Sequence, residues 1–155
     1  MDDHANMRRI VNTILHTFGI VRVIEATDGA DGFESMRSHQ PDIIFVDWEM
    51  PGIDGVEFTQ LVRNASDSPN PFVPIIFLTS YSDKRHVIEA RDAGVTEFLA
   101  KPVSAKAIYS RMMSIINKPR PFVRSKQYFG PCRRRHNNPE YKGSERRKTQ
   151  IAISG

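Results

Sequence analysis

Apolar positions along this chain switch between two rhythms. Met7, Ile10, Val11, Ile14, Leu15 and Phe18 recur at helical spacing, and Gly19 follows as a stop signal. The pattern then predicts a strand over residues 20–26, a helix over 28–38, a buried strand over 42–46 and a helix over 55–64 carrying Phe58, Leu61 and Val62. Ser66, Ser68, Pro69, Asn70, Pro71 and Pro74 mark a loop over 65–74 that leads into the apolar run 72–78. A helix over 83–93 ending at Gly94, a short strand ending near Ala100, and a last helix capped by Ser104 with Ile108, Met112, Ile115 and Ile116 on one face complete the series. Strand and helix alternate, which predicts a parallel sheet covered by helices, with the stripes as core.

The strand ends carry the candidate chemistry. Ile43, Ile44, Phe45 and Val46 deliver Asp47 into the turn Met50-Pro51-Gly52, followed by Asp54-Gly55. Open parallel sheets place ligands outside the carboxyl ends of their strands. The plain alternative for a lone Asp there is a loop cap. Asp47, however, has company at equivalent places: Asp2 and Asp3 before the first helix, Thr79 after the run 72–78, and Lys101 after 95–100. Asp3 and Asp47 offer hard oxygen ligands for Mg²⁺, while Thr79 offers a hydroxyl and Lys101 a mobile positive charge for phosphate oxygens. The set describes a carboxylate that accepts a phosphoryl group. The five histidines show no metal-ligand spacing, and His4 and His86 read as surface residues near this site.

These residues, in this order and spacing together with Ser80, Ala93-Gly94 and Pro102, resemble the CheY-like receiver domain of two-component response regulators over residues 2–117. The resemblance implies a flavodoxin-like α/β fold, a doubly wound parallel sheet of order 2-1-3-4-5. It implies phosphorylation of Asp47 by a sensor histidine kinase or phosphotransfer protein, with Mg²⁺ held by Asp2, Asp3, Asp47 and the main-chain carbonyl of Glu49. It further implies that Thr79 and Lys101 hold the phosphoryl oxygens, that Lys101-Pro102 is a cis peptide, and that Thr79 and Phe98 form the switch read by a downstream target protein. Plain core packing is the competing role for Phe98. Glu49 and Tyr81 match positions that flank the attacking water. The protein would thus be a phosphoacceptor switch rather than an enzyme acting on others, with chemotaxis or motility as one setting. A phosphatase using Asp47 as nucleophile is disfavoured, because Glu49 stands where a second catalytic Asp belongs.

One departure is large. The family opens with an apolar strand ending in the acidic pair, whereas Met1 here immediately precedes Asp2. That strand is central in the 2-1-3-4-5 order. Losing four or five buried side chains at ~1.5–3 kcal/mol each approaches ~10 kcal/mol, comparable with a domain's whole stability of ~5–15 kcal/mol. The expectation is a true start upstream of Met1; without it, the second and third strands rearrange and the acidic pair fails to reach Asp47.

Charge divides the chain. Residues 1–118 hold 12 Lys/Arg against 16 Asp/Glu, and residues 119–155 hold 10 against 2, so the basic character belongs to the tail. The reading is a receiver domain over 1–118 and a basic, largely disordered tail over 119–155. The tail contains Tyr128-Phe129-Gly130-Pro131-Cys132-Arg133-Arg134 and, 13 residues on, Tyr141-Lys142-Gly143-Ser144-Glu145-Arg146-Arg147. A repeated aromatic and arginine unit suits an anionic partner: acidic protein, phosphate backbone or lipid. The alternative function is therefore a nucleic-acid-binding or assembly module acting through the tail, with a vestigial receiver. Thirty-seven residues without helical patterning exclude a helix-turn-helix output domain. A single cysteine, the lack of an apolar run of membrane-spanning length and of a charged-then-apolar leader point to a cytoplasmic protein without an integral membrane segment.

Overall fold

Three parallel strands and five helices build the body of the molecule. The computed structural model describes residues 1–80, 84–125 and 128–133, and the backbone of 149–151. The elements are α1 Ala5–Thr17, α2 Gly29–His39, β1 Ile44–Asp47, α3 Gly55–Asn64, β2 Ile75–Thr79, α4 Lys84–Ala93, β3 Glu97–Ala100, α5 Ala105–Asn117, β4 Phe122–Arg124, β5 Phe129–Pro131 and β6 Thr149–Ile151.

Sheet order is β1-β2-β3, all parallel. Every residue of β2 is buried, as a central strand with helices on both faces requires. Its side chains alternate: Ile75 and Phe77 pack with Phe58, Val62 and Ala90 from α3 and α4, whereas Ile76 and Leu78 pack with Val11, Leu15 and Ile108 from α1 and α5. Helix starts follow their caps. Asp28 accepts from the Asp31 N–H, Ser104 accepts from the Ala107 N–H, and Asp54 forms a reciprocal capping box with Glu57. In the predicted stripe of α5, Ile108 is fully buried, but Ile116 at the helix end is 59 % exposed.

One strand expectation is corrected. Residues 20–26 form no strand, and Val21 is 87 % exposed. Alternating side chains select a face, but a strand also needs a backbone neighbour, and here the neighbour is two residues long. The Met1 ammonium donates to the Phe45 carbonyl at 2.7 Å, the Asp47 N–H donates to the Met1 carbonyl at 3.0 Å, and the Asp2 N–H donates to the Ala26 carbonyl at 3.3 Å. Met1 and Asp2 thus bridge β1 and the 20–26 segment at one end. Behind them lies a cavity of about 510 Å³ lined by Leu15, Ile20, Val23, Ile43 and Phe45 among others. These bonds hold Asp2 beside Asp47, contrary to the expectation that the acidic pair fails to reach it.

The tail is ordered in its first part, and the remaining residues apart from the backbone of 149–151 lie outside the described residues. Residues 119–125 and 128–133 are folded, with β4 paired antiparallel to β5 on one side and β6 on the other. Phe122 and Phe129 are buried against Phe72, with ring centroids 5.2 to 5.6 Å apart. Arg120 donates from Nη1 to the Thr96 carbonyl at 2.9 Å, and Arg133 pairs with Asp92 at 3.3 Å. The apolar and aromatic payload of this short stretch outweighs the composition of the tail as a whole. The first aromatic and arginine unit is used internally: the Arg133 guanidinium lies 4.0 Å over the Tyr128 ring, and the Tyr128 hydroxyl donates to the Pro131 carbonyl. The second unit, with Tyr141, lies outside the described residues.

Candidate functional site

β1 ends where its chain must turn, and that ending places Asp47. Asp47 is 5 % exposed, in register with Leu78 of the neighbouring strand. Its Oδ1 accepts from the Trp48 N–H at 2.8 Å and from the Lys101 Nζ at 2.8 Å. The Lys101 Nζ also donates to Asp2 Oδ2 at 3.2 Å, so one ammonium bridges the carboxylates of Asp2 and Asp47. Lys101 follows β3 directly. Its N–H donates to the Thr79 carbonyl at 2.8 Å, and the Lys101-Pro102 peptide is cis.

Electrostatics follow from this packing. Burial pushes the Asp47 carboxyl above the usual range, Lys101 pulls it down, and the nearby Asp2 charge pushes it up again. For Lys101, burial acts to lower the pKa, but the hydrogen bond and charge of Asp47 together with Asp2 outweigh it, and the ammonium is held above its ordinary value. A buried carboxylate with a close counter-charge results.

The site opens to solvent through a cleft of about 730 Å³ lined by Asp3, His4, Asp47, Glu49, Ser80 and Lys101 among others. Asp2, Asp3, His4 and Asp47 each bring one ligand atom within 4.8 Å of the others. Carboxylate oxygens gathered at that spacing suit a hard divalent cation, and a magnesium ion would use one or two of them and complete its shell with water or phosphate oxygens. Asp2, Asp3, Asp47 and Lys101 therefore converge, with Glu49 at the rim. Thr79 is buried at the end of β2, one residue past the register partner of Asp47, and Ser80 rather than Thr79 lines the cleft. Phe98 is half-buried on β3, edge-on to Phe77 at 6.2 Å, with its carbonyl accepting from the Arg111 Nε. Tyr81 lies outside the described residues.

Two further residues shape the site. His4 is a surface residue at the site as expected, and its Nδ1 lies 2.7 Å from Asp3 Oδ1; its place directly after the acidic pair was the available signal. Gly55 closes the turn after Asp47. Its N–H donates to the Trp48 carbonyl at 3.0 Å, and a Cβ there would stand 2.3 Å from the Asp47 carbonyl oxygen. Gly55→Ala is expected to push the end of β1 aside, costing ~2–3 kcal/mol in urea unfolding and lowering the rate of any chemistry at Asp47. Equal urea midpoints for variant and parent would refute that close approach.

The parallel sheet between two helical layers, with acids and a lysine at the strand ends, defines a receiver-type α/β domain. Residues 1–113 match the family described as response regulator receiver domain, and the chain belongs to that family. It is 30 % identical over 118 residues to the chemotaxis protein CheY of Pseudomonas aeruginosa, covering 76 % of this chain and 94 % of that relative. Among solved structures, a putative response regulator from Chloroflexus aurantiacus superposes with a TM-score of 0.69 at 26 % identity, covering 76 % of this chain and 94 % of that one. The receiver domain of a sensor histidine kinase from Pseudomonas aeruginosa, solved with a magnesium ion coordinated in its active site cleft, superposes with a TM-score of 0.67 at 25 % identity over 76 % of this chain and 94 % of that one. Among the described residues no helix is long and apolar enough to cross a membrane.

Proposed function

We propose that this chain is a phosphoacceptor switch: Asp47 takes a phosphoryl group from a histidine kinase or phosphotransfer protein, and the phosphorylated domain signals by contact with a target protein. The observation that carries this reading is the buried Asp47 carboxylate, ion-paired to Lys101 at the floor of an open cleft rimmed by further acids. A carboxylate oxygen of Asp47 attacks phosphorus, the O–P bond forms, and the N–P bond of the phosphohistidine breaks with the imidazole as leaving group. Lys101 moves with the charge, from the carboxylate to an incoming phosphoryl oxygen. Thr79, at the adjoining strand end, supplies a hydroxyl to another, and its movement gives Phe98 room to turn inward. Asp2, Asp3, Asp47 and the Glu49 carbonyl would hold a magnesium ion, which supplies neutralisation of the phosphoryl oxygens. The cytoplasm, with chemotaxis or motility as the setting, fits the resemblance to CheY. The nucleic-acid alternative draws no support from the described part of the tail, where Arg120 and Arg133 are engaged within the chain.

Intact mass after incubation with acetyl phosphate tests this. One Mg²⁺-dependent phosphoryl adduct is expected, absent from Asp47→Asn. Persistent labelling of that variant would reject Asp47 as the acceptor.

A further inference from the structure

A further cavity lies behind the starts of β2 and β3, away from the cleft of Asp47. Its volume is about 490 Å³, and Phe72, Ile115, Ile116, Pro119 and Phe122 supply apolar walls. Residues 119–122 lie beyond the 1–113 that match the receiver family, so the tail of this chain completes the enclosure. Glu97, the first residue of β3, lines the same cavity at only 3 % exposure. Ser114 Oγ donates to Glu97 Oε1 at 3.5 Å, and Arg111 Nε stands 3.8 Å from Oε2. Both separations exceed the ~3.2 Å of a well-made bond. Arg111 Nε donates instead to the Phe98 carbonyl at 2.9 Å. Ser114 also lines the cavity, which puts Oε1 on the cavity side, where an entering donor can compete for it.

A cavity of this size, apolar apart from a few convergent polar groups, has the usual form of a small-molecule site. Two cations also line it. Arg120 is committed to the Thr96 and Cys132 carbonyls, whereas Lys118 is exposed at the rim, where water and salt screen its charge. The desolvated carboxylate therefore sets the preferred head group, because charge acts most strongly where water is excluded. We propose that this cavity binds a small amphiphile: a protonated amine head donates to Glu97 Oε1, and a short aryl or alkyl body packs against Phe72, Ile116 and Phe122. The site is separate from Asp47 and does not depend on phosphoryl chemistry there.

Calorimetric titration of the full chain with 2-phenylethylamine, 2-phenylethanol and 3-phenylpropionate at neutral pH compares an amine, a hydroxyl and a carboxylate head on similar bodies. The amine is expected to bind saturably and about tenfold tighter than the alcohol, and the acid not to bind. Glu97→Gln is expected to bring the amine down to the affinity of the alcohol while the alcohol stays within about twofold, a split that disturbed packing alone would not give. Lys118→Glu, at an exposed position that does not depend on Glu97 packing, is expected to tighten the amine about threefold and to leave the alcohol unchanged. In spectra of the chain with ¹³C-labelled isoleucine methyls, Ile115 and Ile116 are expected to shift as the amine is added. No saturable amine binding, equal affinity for amine and alcohol, or unmoved Ile115 and Ile116 methyls would overturn the proposal. So would an amine preference that survives Glu97→Gln, or, where that variant does not fold, an amine affinity indifferent to Lys118→Glu.

Discussion

Arg63→Ala is expected to destabilise the chain by ~4–5 kcal/mol, a large part of a typical ~5–15 kcal/mol total, and to release the hairpin of β4 and β5 from the domain. Arg63 is 2 % exposed at the end of α3. Its Nε donates to the Gly94 carbonyl at 3.1 Å, its Nη1 donates to the Pro71 carbonyl at 2.8 Å, and its guanidinium lies 5.1 Å from the centre of the Phe122 ring. Desolvation drags its pKa down to about 9, which measures how much the buried charge dislikes its setting. Nη2 has no hydrogen-bond partner among the described residues. The residue is nonetheless a spacer: Gly94, at φ +106, has its missing Cβ position 3.0 Å from Arg63 Cγ and 3.3 Å from the Phe129 carbonyl, so loop, helix and hairpin meet around it. Truncation to alanine strands two buried carbonyls and opens a cavity under Phe122. Arg63→Met fills the space and removes the charge but still strands the carbonyls, and is expected to cost about half as much. Urea midpoints rank the variants. Loss of exchange protection at the Cys132 amide, which donates to the Pro121 carbonyl, reports hairpin release in the alanine variant. A cost below ~1 kcal/mol for Arg63→Ala would show that the aromatic trio alone docks the hairpin.

Arg63 also marks what a one-dimensional pattern does and does not reveal. Around it, α3 was legible to the residue: the helix predicted over 55–64 is the helix found, with Phe58 and Val62 in its buried stripe. Leu61, counted with that stripe, is 40 % exposed, while the arginine after Val62 is buried. Helical spacing predicts a face toward the first layer of packing; it carries no information about a second layer arriving from residues 119–133. The same holds for the tail. Its charge and prolines, averaged over 37 residues, describe a solvated segment, whereas Phe122, Phe129 and Cys132 are buried one by one against Phe72 and the α4–β3 turn. The site was far more legible, because strand-end positions are set by strand lengths. Asp47, Lys101 and the acidic pair converge although 99 positions separate Asp2 from Lys101. Residues 20–26 show the limit: they read as a strand, but the backbone beside them is only Met1 and Asp2.

That short neighbour can be lengthened. A chain carrying five Val and Ile residues ahead of Met1 is expected to melt ~10 °C higher than the chain beginning at Met1. The added segment would run parallel to β1 from the Phe45 contact backward, between β1 and residues 20–26, into the cavity that Leu15, Val23 and Phe45 line. Each buried side chain contributes ~1.5–3 kcal/mol against ~1–2 kcal/mol for ordering its backbone, a modest surplus over five residues. A second gain comes from Met1 itself. Its ammonium is lowered from 8.0 to about 6, by desolvation before any charge effect. The unfolded chain therefore binds more protons between those values, stability rises with pH across the window, and the penalty of about 3 kcal/mol is full below pH 6 and gone above pH 8. Converting the ammonium to a peptide N–H removes that slope while keeping a donor for the Phe45 carbonyl. A Gly/Ser extension of equal length removes the charge without filling the cavity, so it is expected to abolish the slope yet gain little at pH 8. Equal melting of the apolar and Gly/Ser chains at pH 8 would show that the cavity does not accept a strand, and an unchanged slope between pH 6 and 8 in both would show that the Met1 ammonium is not what titrates.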